Sequence, residues 1–303
     1  MGQNFGQDVR QGDTMTASDY VNAYLQLWCW VNDTFTVVRV RNYLQSGKGP
    51  QANRAASEYS KLLSSLPKVA ASGAGKPLPA VFEVQGDKYV TTSLWRVYNG
   101  KGAPSEIQDA IWLASLCGLV NPATLAIYAD NSLGIDCGGF VANYWGIGRP
   151  NLSNPNPTGA TGYKPRTIWG MYPNLRRKTP GEIQADDAAV FFEDVKSDDP
   201  NIAARQLPGG AYDSSSGSQA FHIGLVSSVS AVPGTNQVNL VIAESSGATA
   251  SSGGTGVNVR SLGQVKATVA KGLVYCMDGT NRIYFTGRPL PPTPPYLPNS
   301  YGT

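Results

Sequence analysis

Residues 134–141 read Gly-Ile-Asp-Cys-Gly-Gly-Phe-Val, and this stretch decides how the rest of the chain is interpreted. It places Cys137 where a loop opens a helix, and we expect this helix to continue through Trp145 and to end at Gly146. The unpaired N–H groups and the positive dipole end of such a helix lower the pKa of a thiol and can stabilise an oxyanion. The small residues Gly138 and Gly139 would let a substrate approach the backbone. We therefore predict that Cys137 is a nucleophile, and the alternative is a buried structural cysteine at a turn.

The second informative stretch is residues 220–226, Ala-Phe-His-Ile-Gly-Leu-Val, which contains the only histidine of the chain. Its apolar run predicts a buried strand, and a base carried by a rigid strand is held in place for proton transfer. A cysteine activated by a histidine is a common way to build a thiol nucleophile. We predict that His222 is the base, and the alternative is a strand-end histidine bonded to the backbone.

An acidic residue, Glu244, follows the next predicted strand, residues 238–243. A hairpin of that strand with residues 222–229 would bring Glu244 beside His222, where a third polar group can fix the tautomer of the imidazole. The alternatives are that Glu244 is an exposed strand-end acid, or that Ser245 serves instead. Asp136, next to the cysteine, would either tune the site or act only as a structural residue.

The composition favours a loop-rich β or α+β protein of one large or two small domains. The chain has 303 residues, 41% of them hydrophobic, with 34 glycines and 21 prolines. A net charge of +3 is too weak to indicate nucleic-acid binding. One histidine and four widely spaced cysteines make no metal-ligand cluster, so we expect no metal and no cofactor. The polar N-terminus predicts no signal peptide, and no apolar run is long enough for a transmembrane segment.

Hydrophobic periodicity predicts the order of the elements. A helix followed by a β-branched stretch is expected within residues 15–45. The long segments at 149–180 and 193–221 are expected to border an active-site cleft, because long loops in a compact domain are often functional. Trp169, in the first of them, is expected to contact substrate. We divide the chain into an N-terminal subdomain of unknown role (1–103), a catalytic domain (104–287) and a Pro-rich tail (288–303). Further predicted elements are helices at 51–66, 104–117 and 122–129, a hairpin at 81–92, and strands at 188–192, 222–229, 238–243, 257–259, 273–276 and 282–285.

These motifs resemble the NlpC/P60 family of papain-like cysteine peptidases and, more loosely, the CHAP proteins. The family's Asp-Cys-Ser-Gly-Phe-Val is similar to residues 136–141, and its His-Val-Gly-Ile-Tyr is similar to residues 222–226. The resemblance covers about residues 104–285, and residues 185–192 are similar to the family's Gly-Asp-Leu-Val-Phe-Phe strand. Gly138 stands where the family has serine, and Tyr128 is only a loose counterpart of the family's upstream tyrosine. A glutamate as the third polar residue resembles CHAP.

The resemblance implies an α+β, papain-like fold with an N-terminal extension, in which a Cys-bearing helix packs on an antiparallel sheet. It implies a cysteine peptidase or amidase acting on peptidoglycan stem peptides, with Tyr128, Asp136, Gly138 and Trp169 at the substrate site. We expect an antibacterial effector or a lysin that is made in the cytoplasm and acts in the periplasm or cell wall. A cognate immunity protein or a secretion machinery would be its further partners. The alternatives are an acyltransferase, deamidase or lipid-directed hydrolase on the same fold, and a non-catalytic binding or structural protein with a relic site.

Overall fold

The computed structural model describes residues 15–45, 47–70, 77–192, 220–247 and 256–289. The helices within these ranges are α1 (Ala17–Leu25), α2 (Gly49–Ser65), α3 (Thr91–Val97), α4 (Pro104–Leu116), α5 (Leu125–Ser132), α6 (Cys137–Trp145) and α7 (Pro165–Met171). The strands are β1 (Leu27–Val31), β2 (Thr34–Val38), β3 (Val81–Val84), β4 (Asp87–Val90), β5 (Ala188–Phe192), β6 (Ala220–Ala231), β7 (Gln237–Ser246), β8 (Gly256–Ala270), β9 (Leu273–Asp278) and β10 (Asn281–Thr286). Across the part of the chain so described, no helix has the length and apolar character needed to cross a membrane.

The last six strands form a closed antiparallel barrel in the order β10-β5-β6-β7-β8-β9. Alternate side chains of a strand point to opposite faces, so the barrel has an inner and an outer apolar surface. One apolar cluster, which includes Phe191, Ile242 and Ile283, consists almost entirely of barrel residues, and we assign it to the interior. The other cluster joins Ile223 and Leu225 to the helices. The helices therefore cover the outside of the barrel.

The helix that begins at Cys137 packs against β6 and β7. All nine of its residues are buried, and its capping explains both ends. Asp136 caps the N-terminus by accepting a hydrogen bond from the Gly139 N–H. Gly146 ends the helix in the left-handed conformation, with φ of 70°. The predicted helix after residue 136, ending at Gly146, is confirmed.

Residues on both sides of the predicted boundary at 103/104 share one hydrophobic cluster. A buried polar network crosses the same boundary through the Arg96 guanidinium. It bonds Glu106 at 3.0 Å, the Asn143 side chain at 2.6 Å and the Ala160 carbonyl at 2.9 Å. Buried charges are costly unless paired and hydrogen-bonded, and here Arg96 is both. The network therefore connects α3, α4, α6 and the loop after α6 to one another.

The other predicted elements are largely confirmed in kind and differ in length. The helices at 51–66, 104–117 and 122–129 correspond to α2, α4 and α5, and the hairpin at 81–92 corresponds to β3 and β4. The largest difference is β8, which has 15 residues where the sequence predicts only 257–259. Much of β8 beyond residue 260 is exposed or half-exposed, so its sequence lacks the continuous apolar run that marks a buried strand. The tail from residue 290 and most of the 193–221 segment lie outside the described residues.

Candidate active site

Cys137 is the first residue of α6 and is 4% exposed. The loop before it is tied to the N-terminal region, because the Asp136 N–H donates to the Gly100 carbonyl at 2.8 Å. The Asp136 carboxylate also forms a buried ion pair with Lys101. Burial raises the pKa of Asp136, and Lys101 opposes that rise. Asp136 thus acts as a cap and anchor for the start of the helix, which matches the structural alternative for this residue.

His222 lies on β6 and connects Cys137 to Glu244. Its Nε2 is 2.9 Å from Glu244 Oε2, and its ring is also hydrogen-bonded to the Cys137 side chain. Because Nε2 is taken by the carboxylate, Nδ1 is the nitrogen left for the thiol. Burial lowers the pKa of His222, but the hydrogen bonds with Cys137 and Glu244 outweigh burial and raise that pKa to about 9. The imidazole is therefore held in a position and charge state suited to a thiolate–imidazolium pair.

Glu244 is the carboxylate that contacts the imidazole. It is 1% exposed, and its second oxygen accepts a hydrogen bond from Arg260 Nε at 3.0 Å. Burial raises the pKa of Glu244, but its bonds to His222 and Arg260 prevail and lower it. Ser245, the alternative third residue, instead donates its hydroxyl to the Ile135 carbonyl at 2.6 Å and so braces the loop before Cys137. The geometry thus favours Glu244 over Ser245 as the residue that orients His222.

Tyr43 is a site residue that the sequence reasoning missed. It is half-buried between β2 and α2, and its hydroxyl is hydrogen-bonded to the Cys137 side chain. Burial, followed by the charges of Cys137 and Asp136, raises its pKa well above the usual range, so the hydroxyl keeps its proton. No motif around residue 43 signals this contact. Neighbouring residues hold the segment by main-chain hydrogen bonds: Ile135 N–H to Asn42 O at 3.1 Å and Val257 N–H to Arg41 O at 2.7 Å.

The small residues after Cys137 serve a different purpose from the one predicted. A Cβ atom on Gly138 would lie 1.9 Å from the main-chain oxygen of Tyr163, and one on Gly139 would lie 2.7 Å from that of Gly100. Neither distance is compatible with ordinary van der Waals contact. The space that was expected to admit substrate at Gly138 is filled by the protein's own main chain. The glycine allows the loop of residues 149–164 to pack against the start of α6.

Two predicted substrate contacts lie in packing positions. The Tyr128 hydroxyl is 2.5 Å from that of Tyr98, and the side chain is 7% exposed. Trp169 is fully buried, with its ring against Phe192, and the Arg176 guanidinium lies 4.2 Å above it. Neither ring offers an accessible surface to a ligand. The predicted binding roles of Tyr128 and Trp169 are therefore corrected to roles in packing the core.

An aromatic ring and a second ion pair complete the surroundings of the triad. Phe191 lies opposite His222 across β5 and β6, with ring centroids 5.0 Å apart. Arg260, which bonds Glu244 through Nε, also donates a hydrogen bond from Nη1 to Asp278 Oδ2 at 3.0 Å. Within the described ranges, no cluster of three or more His, Cys, Asp or Glu side chains could hold a metal ion. The remaining cysteines form no disulfide: Cys29, Cys117 and Cys276.

No family model, curated protein or solved structure matches this chain.

Proposed function

We propose that this protein is a cysteine-dependent amide hydrolase in which Cys137, His222 and Glu244 form the catalytic triad. One observation carries the proposal: a cysteine at a helix N-terminus is hydrogen-bonded to a histidine, which in turn is bonded to a buried carboxylate. The same arrangement of a nucleophile, a base and an orienting group occurs in hydrolases of unrelated folds. Cys137 and His222 also lie in two motifs that resemble NlpC/P60, and Glu244 resembles the third polar residue of CHAP.

The proposed reaction begins with proton transfer from the Cys137 thiol to His222. The thiolate sulfur attacks the carbonyl carbon of an amide, and the carbonyl oxygen takes up the negative charge. The Tyr43 hydroxyl, bonded to the same sulfur, and the first-turn N–H groups of α6 are the donors that would stabilise this oxyanion. His222 then gives its proton to the leaving amine, which breaks the C–N bond. Water activated by His222 hydrolyses the resulting thioester and releases the acid.

The proposed fold family and substrate are those of the NlpC/P60 resemblance: a papain-like hydrolase that cleaves amide bonds in peptidoglycan stem peptides. Two features support the assignment: the Asp-Cys-Gly-Gly-Phe-Val motif at a helix N-terminus, and the packing of that helix on the antiparallel strands β6, which carries the histidine, and β7. On this proposal the protein is an antibacterial effector or a lysin, and it acts in the periplasm or cell wall, where its substrate is found.

Digestion of purified sacculi, followed by mass spectrometry of the released muropeptides, tests the proposal. We expect new amine and carboxyl ends at one amide bond with the wild-type protein and none with Cys137→Ala. Cys117→Ala is the matched control, because Cys117 is a half-buried free cysteine that the mechanism does not use. Intact muropeptides from the wild-type protein would contradict the peptidoglycan substrate.

A thiol probe separates the substrate question from the question of catalysis. Cys137 should react with iodoacetamide faster than the other cysteines, because it begins a helix and lies beside the His222 imidazole. Fast labelling with no muropeptide product would favour acyl transfer, deamidation or a lipid substrate on the same triad. Labelling of Cys137 no faster than of Cys117 would favour a relic site and overturn the proposal of an enzyme.

A further inference from the structure

Arg260 is a buried cation between two carboxylates beside the candidate triad. It lies on β8, is 8% exposed, and donates from Nε to Glu244 at 3.0 Å and from Nη1 to Asp278 at 3.0 Å. Its guanidinium carbon also lies 5.7 Å from the centre of the Phe191 ring, which packs against His222. Arg260 therefore contacts both the carboxylate and the aromatic ring that confine the imidazole.

The two oxygens of Glu244 have different partners. Oε2 faces His222 and Oε1 faces Arg260, so the two hydrogen bonds fix the rotation of the carboxylate about its last bond. A guanidinium is a planar donor with fixed geometry, and a lysine ammonium does not reproduce it. Without Arg260, Oε1 would be a buried acceptor without its charged partner, which is costly in a site that is 1% exposed.

We propose that Arg260 is a positioning residue that holds Glu244 against His222, and that Asp278 anchors Arg260 from the neighbouring strand β9. The proposal rests on the proposed function, since it assigns a fourth member to the same site. It adds a residue that no local motif indicates. Arg260 acts through Glu244 and is not placed in contact with the reacting atoms.

The charges around Glu244 predict the direction of the effect. Glu244 meets His222 from β6 and Arg260 from β8, His222 meets Cys137 from α6, and Arg260 meets Asp278 from β9. The hydroxyl of Tyr43 is hydrogen-bonded to Cys137 and is influenced by the charge of the Asp136 carboxylate. With the thiolate–imidazolium pair formed, removal of the arginine makes the net charge of this buried cluster more negative by one. Glu244, whose pKa Arg260 helps to lower, then takes up a proton at a higher pH, and His222 loses the charged carboxylate that orients it.

The experiment measures the rate of Cys137 alkylation by iodoacetamide from pH 4 to 10, with the modified residue identified by mass spectrometry. We expect Arg260→Gln to move the acidic limb of this profile upward by about one pH unit, which is a tenfold loss of labelling at a fixed pH on that limb. Arg260→Lys keeps the positive charge but lacks the planar set of guanidinium donors. The shift of its acidic limb should therefore be smaller than that of Arg260→Gln and in the same direction. The readout needs no substrate, and thermal unfolding is recorded for every variant.

Arg177→Gln is the matched control. Arg177 also holds a buried carboxylate with two hydrogen bonds, to Asp187 at 2.8 and 2.6 Å, but neither residue belongs to the triad. We expect this variant to lose thermal stability and to keep the wild-type labelling profile. If Arg260 had a purely structural role, Arg260→Gln would likewise lose thermal stability and keep the wild-type labelling profile. An Arg260→Gln labelling profile that does not shift along the pH axis would therefore overturn the proposal.

The remaining outcomes are also decisive. If Arg260→Gln does not fold, a profile of Arg260→Lys that superimposes on the wild type would overturn the proposal, and an intermediate shift would support it. If wild-type Cys137 labels no faster than Cys117, the proposed function fails, and Arg260 has no reactive pair to position. If wild-type Cys137 is fast and Arg260→Gln has the same profile, only the role of Arg260 fails.

Discussion

At the scale of single residues, the candidate site consists of buried polar groups that each have a specific partner. Cys137, His222 and Glu244 are all under 8% exposed, yet each has a hydrogen-bonding neighbour. A buried polar group without such a partner would cost stability, so their mutual contacts are what makes them tolerable in this position. On the proposed function, Cys137 and His222 act in the reaction, and this role can be separated by experiment from a role in packing.

Removal of either Cys137 or His222 should abolish turnover and leave the fold intact. We expect Cys137→Ala and His222→Ala to lower the turnover of muropeptides by about 10³-fold or more, because members of a triad act as a unit. The free energy of unfolding should change by about 1 kcal/mol or less in Cys137→Ala. Turnover assays and denaturant unfolding of the same samples check both expectations. An unfolded Cys137→Ala protein would show that the cysteine is structural.

The raised pKa of His222 predicts two pH effects. The imidazolium is needed to protonate the leaving amine, so turnover should fall as pH rises through about 9. The folded-state pKa lies above the ordinary value of 6.5, so the stabilisation from the charged imidazole is fully present below pH 6.5 and is lost as pH rises through about 9.

A comparison of the wild type with His222→Gln tests the stability effect. The difference in melting temperature between the two proteins should shrink over the pH range from 6.5 to 9. Cys117→Ser, which leaves Cys137, His222 and Glu244 in place, serves as a reference for nonspecific alkaline loss of stability. A difference that stays constant over this range would contradict the assigned charge state of His222.

At the scale of elements, the N-terminus of α6 is held by close approach of main chains. The loop before it is tied to Gly100 and Asn42, and the loop after it crosses over Gly138 through the carbonyl of Tyr163. Glycine in a helix normally costs about 0.5–1 kcal/mol relative to alanine. At this position the close contact with the carbonyl outweighs that cost, so the helix depends on the glycine.

Gly138→Ala should therefore destabilise the protein, contrary to the usual effect of such a change in a helix. The added methyl would meet a main-chain oxygen at 1.9 Å, which cannot move without displacing the loop, and we expect a loss of about 1–3 kcal/mol. Gly181→Ala is the control, because a Cβ there meets nothing within 4 Å. Denaturant unfolding measures both variants. A Gly138→Ala protein as stable as the wild type would mean that the loop does not rest on the helix.

At the scale of the whole molecule, the N-terminal region contributes residues to the site of the C-terminal region. Tyr43 reaches Cys137 directly, Lys101 pairs with Asp136, and Arg96 links α3 to α6. Main-chain hydrogen bonds place the segment of Tyr43 between the loop before Cys137 and the first residues of β8. The site is therefore assembled only when both regions of the chain are folded together.

Tyr43→Phe tests this dependence. Loss of one donor to an oxyanion typically costs about 10²–10³-fold in turnover, and we expect a decrease of that order with little change in melting temperature. Tyr59→Phe is the matched control, since Tyr59 is a half-buried tyrosine whose ring packs on Tyr98. Equal turnover of the Tyr43→Phe protein and the wild type would remove Tyr43 from the mechanism and leave the triad in place.

The sequence by itself determined the local features of this protein. The helix that begins at Cys137 and ends at Gly146, and the strand that carries His222, follow from patterns within ten residues, because capping, periodicity and chain stiffness act over that distance. The position of Glu244 beside His222 was also predictable, since adjacent strands of a hairpin have a defined register. These were predictable because each depends on neighbours along the chain.

Only the tertiary structure decided what lies around those features. The closure of six strands into a barrel, the contact of Tyr43 with Cys137, and the ion pair of Arg260 with Glu244 each join distant segments. The main chain of Tyr163 over Gly138, where the sequence predicted room for substrate, belongs to the same class. Such contacts follow from the packing of whole elements on a shared core, and packing selects partners by shape and burial, which leave no periodic or motif signature in the sequence.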